Sequence, residues 1–136
     1  MAARSKARKR ALDILFECEV RGTGIGSTLD DRIMAGDPPV NPYTVELIRG
    51  IEAHAARIDE IISDYAEGWS LERMPAVDRN VLRVGVFEVL WVDDTPDAVA
   101  VSEAMNLVRD LSTDESPSFV NGVLGSILRN KAALTG

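Results

Sequence analysis

The sequence predicts an all-α fold of six to seven helices joined by short links. Three observations predict it. Apolar residues recur at helical spacing in nearly every segment. Asn41-Pro42 and Ser116-Pro117 stand just before such segments, as a cap followed by a first-turn proline. Breaks of a few residues, rich in glycine and proline, separate them. Amphipathic helices on short connections pack as bundles. With 136 residues, 46% hydrophobic and 27% charged, the chain suits a single domain over 1–136 with one core, or two small halves sharing it.

The first helix is expected over 5–21, where Ala7, Ala11, Ile14, Leu15 and Cys18 share a face and Gly22, Gly24 and Gly26 follow. Ser27 or Thr28 is expected to cap a short second helix reaching Met34, stopped by Gly36-Asp37-Pro38-Pro39. From Pro42, periodicity runs through Val45, Ile48, Ile51, Ala55, Ile58, Ile61, Ile62 and Tyr65, and whether His54 breaks that stretch is left open. Residues 76–92 are the most apolar segment, and their β-branched content would also suit a strand. Length, apolar residues on all sides and helical neighbours favour a helix in the middle of a bundle. Asp93-Asp94-Thr95-Pro96 stops it. Val101, Ala104, Met105, Val108 and Leu111 mark the next helix, and Val120, Val123, Leu124, Ile127 and Leu128 the last.

Charge is distributed unevenly. The formal net charge is -7, yet Arg4, Lys6, Arg8, Lys9 and Arg10 all fall within the first ten residues, which hold no acid. Residues 1–21 carry +3 and the remainder -10. Such asymmetry points to a local landing site for phosphates on a body that otherwise repels polyanions.

The chemistry of catalysis is not recognisable. His54 is the only histidine and Cys18 the only cysteine, which excludes a His-based metal site, a conventional triad and an internal disulfide within one chain. Cys18 falls on the apolar face of the first helix, where an inert thiol is expected. The glycine run at 22–26 follows a helix rather than a strand, so it is no dinucleotide fingerprint. Acidic groups at Asp30-Asp31, Asp93-Asp94 with Asp97, and Asp114-Glu115 lack calcium-loop spacing. No enzyme, cofactor or metal is expected. Asp13, Glu17 and Glu19 interrupt what would be a signal peptide's apolar region, and no run approaches the ~20 residues that span a bilayer. A cytoplasmic protein is the expectation.

At 100° per residue, Phe16 falls opposite the core stripe of the first helix and close in rotation to Lys9. An aromatic beside cations is what stacking on an unpaired base requires, with Lys and Arg holding the flanking phosphates. Other readings stay open: a solvated basic tail, a second buried face formed by Phe16, Leu12 and Val20, and a surface for a partner protein or an anionic membrane, the membrane being disfavoured by Asp13, Glu17 and Glu19 on the same helix.

The blocks at 7–20 (ARKRALDILFECEV), 76–90 (AVDRNVLRVGVFEVL) and 116–127 (SPSFVNGVLGSI) resemble the NusB family of bacterial transcription antitermination factors in order and spacing. The FVNGVL string at 119–124 and the VDR-x-x-LR pattern at 77–83 are the most specific parts, and the resemblance runs from Arg4 to about Lys131. It implies two small packed helical bundles, with an N-terminal half over 1–67 and a C-terminal half over 74–132. It implies a protein that pairs with NusE, a ribosomal protein of the small subunit, and binds the boxA element of ribosomal RNA leaders. With other Nus factors, such a complex keeps RNA polymerase from terminating early.

By the same resemblance, Arg4, Lys6, Arg8, Lys9 and Arg10 match the RNA-contacting N-terminus, and Phe16 an aromatic at the RNA surface. Asp78 and Arg83 match charged positions associated with the protein partner. Glu115 and Phe119 match the stretch where RNA and partner meet; Ser118 stands there in place of a frequent lysine, and Pro117 in place of a polar residue. The alternative is a protein-interaction module that self-associates, as a homodimer, and has little RNA affinity of its own.

Overall fold

The computed structural model describes residues 3–135, and all regular structure among them is helical. The elements are α1 (Ala3–Arg21), α2 (Ile25–Ala35), α3 (Pro42–Ala53), α4 (Ala55–Tyr65), α5 (Ala76–Trp91), α6 (Asp97–Leu111), α7 (Ser116–Arg129) and α8 (Lys131–Thr135), with one 3-10 turn at Leu71–Arg73.

The boundaries have local causes. Asn41 caps α3, its side chain accepting from the Tyr43 amide at 2.7 Å, and Pro42 supplies a first residue with no amide hydrogen to lose. Gly36 closes α2 at φ 67°, a left-handed conformation that a Cβ disfavours. Two expected caps behave differently. Neither Ser27 nor Thr28 precedes α2, which starts earlier at Ile25; both hydroxyls instead donate back to the Gly24 carbonyl, at 3.2 and 2.8 Å. Ser116 is already the first residue of α7, and its hydroxyl is turned to Asp78.

The count of six to seven helices is corrected to eight among the described residues. His54 separates α3 from α4, at φ -114°. The further helix is α8, five residues with none buried, too short and too weakly patterned to announce itself.

Helix α5 is the axis of the molecule. It packs against α1, α3 and α4 and against α6, α7 and α8. Its Val81, Leu82, Val84, Val86, Phe87, Val89 and Leu90 are all buried. Each such side chain contributes about 1.5–3 kcal/mol relative to exposure, which is why α5 tolerates apolar residues all round. One buried apolar cluster runs from Ala7 to Ile127 through both halves of the chain. Against it lies α1, and that docking decides which side of α1 meets solvent.

Candidate functional site

The buried stripe of α1 consists of Ala7, Arg8, Ala11, Leu12, Ile14, Leu15 and Cys18. Lys6, Asp13, Phe16 and Val20 are exposed on the opposite side, with Lys9 and Arg10 half-buried beside them. Phe16 is 47% exposed and Val20 69%, whereas Leu12 is in the core. These three therefore do not form a second buried face. The ring of Phe16 is open to a ligand.

The five cations of the basic segment separate into three groups. Arg8 is buried, its Nε 2.9 Å from both oxygens of Glu88 and its Nη1 2.7 Å from Glu103. Tyr43 donates its hydroxyl to Glu88 at 2.5 Å, and Ser5 donates to Glu103. Burial works against the Arg8 charge, but the hydrogen bonds and the two carboxylates more than offset it and hold the guanidinium protonated. Burial and the Glu88 carboxylate push the Tyr43 hydroxyl up to about 12. The expectation that Arg8 contacts RNA is corrected: the fold encloses this cation because Glu88 on α5 would otherwise be a buried, unpaired charge. Arg4 lies at the edge of the same cluster. It donates to Asp94 at 2.9 Å and to Thr95 at 3.2 Å, and lies 4.2 Å from the Tyr43 ring centroid. Lys9 pairs with Asp13 at 2.7 Å. No ion pair or side-chain hydrogen bond engages Lys6 or Arg10 among the described residues. The outward cations are thus Lys6, Lys9 and Arg10, on the face of α1 that carries Phe16.

The expected partner residues also divide. Asp78 is buried and accepts from Ser112 at 2.6 Å and Ser116 at 2.8 Å, so its carboxylate ties the start of α5 to the α6–α7 turn. Arg83 is turned away from that turn, into a polar cluster with Asp59 at 2.9 Å and Glu19 at 3.1 Å. Neither is a free surface charge. In that cluster burial would raise the Glu19 carboxyl, but hydrogen bonds from Arg79, Asn80 and Arg83 hold it below the usual carboxylate range.

Glu115, Ser118 and Phe119 do come together. They line an open groove of about 670 Å³ with Trp69, Met74, Pro75, Asp114 and the buried Asp78. Trp69 is 52% exposed and meets Phe119 edge-on, ring centroids 6.2 Å apart. Arg79 fixes the wall that carries Trp69 by donating to the carbonyls of Leu71 at 2.9 Å and Met74 at 3.1 Å. Among the described residues, no lysine or arginine lines this groove or its continuation past Asp64 and Glu67. Sequence reasoning missed Trp69, since helical periodicity says nothing about a residue in a connection; its only signal was an aromatic among polar loop residues.

Cys18 is buried, and burial pushes its thiol up, away from the reactive thiolate form. His54 stacks on Trp91 at 4.2 Å. Among the described residues no group of His, Cys, Asp and Glu is placed to hold a metal ion, and no helix is long and apolar enough to cross a membrane.

A model of the NusB family matches residues 5–129. The transcription antitermination protein NusB of a Nocardioides species is 66% identical over 134 residues, spanning 98% of this chain and 99% of that one. The solved structure of T. maritima NusB shares the fold at a TM-score of 0.84 and 33% identity, with 96% and 94% of the two chains covered. A chain from the crystal structure of the antitermination factors NusB and NusE in complex with double-stranded RNA matches at a TM-score of 0.80 and 26% identity, over 93% of this chain and 96% of that one. The matched family model, the near-full-length identity and the shared fold agree: the chain belongs to the NusB family.

Proposed function

We propose that this protein is a cytoplasmic transcription antitermination factor that binds boxA RNA of ribosomal RNA leaders together with the ribosomal protein NusE, and so supports processive transcription of ribosomal RNA. Other Nus factors and RNA polymerase are engaged indirectly, and no catalytic step is involved. One observation carries the reading: Lys6, Lys9 and Arg10 stand with an exposed Phe16 on one face of α1, in a chain of net charge -7. Single-stranded RNA is held by that combination of stacking and phosphate contact. Arg8 takes a positioning role, fixing the rotation of α1 from inside. Arg4, half-exposed at the edge of the same cluster, can still reach a phosphate.

The groove at Trp69 and Phe119 supports the paired form. Its acidic, cation-free lining suits a basic protein better than it suits RNA. NusE accompanies NusB in the complex with double-stranded RNA that this chain resembles. On this reading the N-terminal half supplies the RNA face and the C-terminal half the partner contact.

A second reading, a self-associating interaction module, is favoured by the exposed apolar pair Phe16 and Val20 on one helix face. RNA binding by the full chain, with and without NusE, separates the two. The expected result is affinity that rises with NusE, falls with salt at a log–log slope of about -0.7 per neutralised phosphate, and drops by about 1–3 kcal/mol in Phe16→Ala. A concentration-dependent dimer that ignores boxA RNA in sedimentation would instead establish the second reading.

A further inference from the structure

The connection between α4 and α5 runs from Ala66 to Pro75 and presents Trp69 to the groove. Within it the Trp69 amide donates to Ala66 at 2.9 Å, the Arg73 amide to Ser70 at 3.1 Å and the Met74 amide to Leu71 at 3.2 Å. Ala66 and Met74 are buried, which holds the segment against the body but sets no direction, since apolar burial is non-directional. Direction comes from α5. Arg79 donates through Nη1 to the carbonyls of Leu71 and Met74, and among the described residues no other side chain hydrogen-bonds to this segment. The opposite edge of the same guanidinium is engaged as well: Nε lies 2.7 Å and Nη2 3.0 Å from the two oxygens of Glu19 on α1. Asn80 and Arg83 donate to the same carboxylate, at 2.7 and 3.1 Å. Glu19 lines neither part of the groove, and it reaches the Trp69 wall only through Arg79.

We propose that Arg79 is the positioning residue of the partner contact, an arginine anchored on Glu19 that sets the Trp69 segment in its NusE-binding conformation before NusE arrives. This deepens the partner reading above and rests on it. A segment left loose would have to be ordered as NusE bound, and the ordering would subtract from affinity. With both carbonyls held, that ordering has already occurred on folding. A planar guanidinium can face a carboxylate with one edge and two carbonyls with its remaining nitrogen; the point charge of a lysine cannot. NusE affinity therefore depends on a carboxylate of α1 that lies outside the groove. The helix that carries the RNA face is also the footing of the Trp69 wall.

The test is a double-mutant cycle read by calorimetric titration of the full chain with NusE. Arg79→Gln is expected to lose most of the affinity that Trp69→Ala loses, and to cost nothing further in the Trp69→Ala background. Arg79→Lys is expected to weaken binding as Arg79→Gln does. Glu19→Gln, a milder change that keeps the test open should Arg79→Gln fail to fold, is expected to weaken NusE several-fold. Amide hydrogen exchange supplies a second readout: in Arg79→Gln protection falls over residues 66–75 while α3 and α6 keep theirs. Additive losses in the cycle overturn the assignment, as does full NusE affinity in Glu19→Gln. Faster exchange spread evenly over the helices overturns it too, making Arg79 a residue of general stability. If Trp69→Ala weakens NusE binding while Arg79→Gln does not, the Arg79 assignment alone falls. If Trp69→Ala binds NusE as the wild type does, the partner reading of the groove falls with it.

Discussion

The guanidinium of Arg8 lies inside the fold with its Nε equidistant, at 2.9 Å, from the two oxygens of Glu88. The pair joins α1 to α5, and Arg8 reaches Glu103 of α6 as well. Removing one member leaves the other charged and dry. Arg8→Ala is therefore expected to destabilise the fold by about 3–5 kcal/mol, measured by urea unfolding. The double variant Arg8→Ala with Glu88→Ala should cost clearly less than the two single losses added together. Additive losses would mean the two side chains stabilise independently.

Tyr43 makes this cluster sensitive to alkali. Its hydroxyl is raised from 10.0 to about 12, first by burial and then by its hydrogen bond to Glu88. The folded protein keeps that proton where the unfolded chain has lost it. The contribution is whole below pH 10, and stability falls as pH climbs from there through about 12. Unfolding midpoints compared across that window should drop more steeply for the wild type than for Tyr43→Phe. Parallel curves would remove Tyr43 from the account.

Gly50 of α3 lies directly against the Phe87 ring of α5. A Cβ there would lie 2.0 Å from the Phe87 ring tip. Phe87 has little room to yield, since it is buried with His54 and Trp91 at centroid distances of 6.3 and 6.1 Å. Alanine would gain up to about 1 kcal/mol in helix propensity, but overpacking costs about 1–3 kcal/mol, and the clash should win. Gly50→Ala is expected to lower the thermal midpoint, and adding Phe87→Leu should restore part of it. A midpoint unchanged by Gly50→Ala would show that the ring can move aside.

The groove offers a separate test of pairing. Trp69→Ala is expected to weaken NusE binding by more than about 1 kcal/mol, as exposed aromatics at interface centres do, while leaving the unfolding midpoint nearly unchanged. Calorimetric titration with NusE measures the first and thermal unfolding the second. Full NusE affinity in Trp69→Ala would place the partner elsewhere.

The helices, and the outward side of α1, were legible because both depend on a period that can be counted. Rotation put Phe16 opposite the core stripe, and the packing then excluded a second buried face with Leu12 and Val20. The end of α3 was harder, because His54 offers no glycine or proline to mark a break, and α8 is too short for any period to show. Arg8 was misread for a different reason: its charge suggested solvent, while its rotation put it between Leu12 and Leu15 on the buried stripe. A second signal lay on α5. Glu88 sits in the most apolar helix of the chain, and a carboxylate enclosed there requires a cation. Which cation answers it depends on tertiary packing. The groove was only half visible, since Ser118 and Phe119 are on α7 and Glu115 directly precedes it, but Trp69 is in a loop.

The clasp of Arg8 on α5 and α6 also bears on engineering. Transplanting the basic helix onto another scaffold as an affinity tag would carry along a cation evolved for an enclosed carboxylate, and without its receptor the segment would lose the rotational setting that aims Phe16 outward. Any minimal reagent built from this chain must keep the later helices, even though they contribute none of the three outward cations.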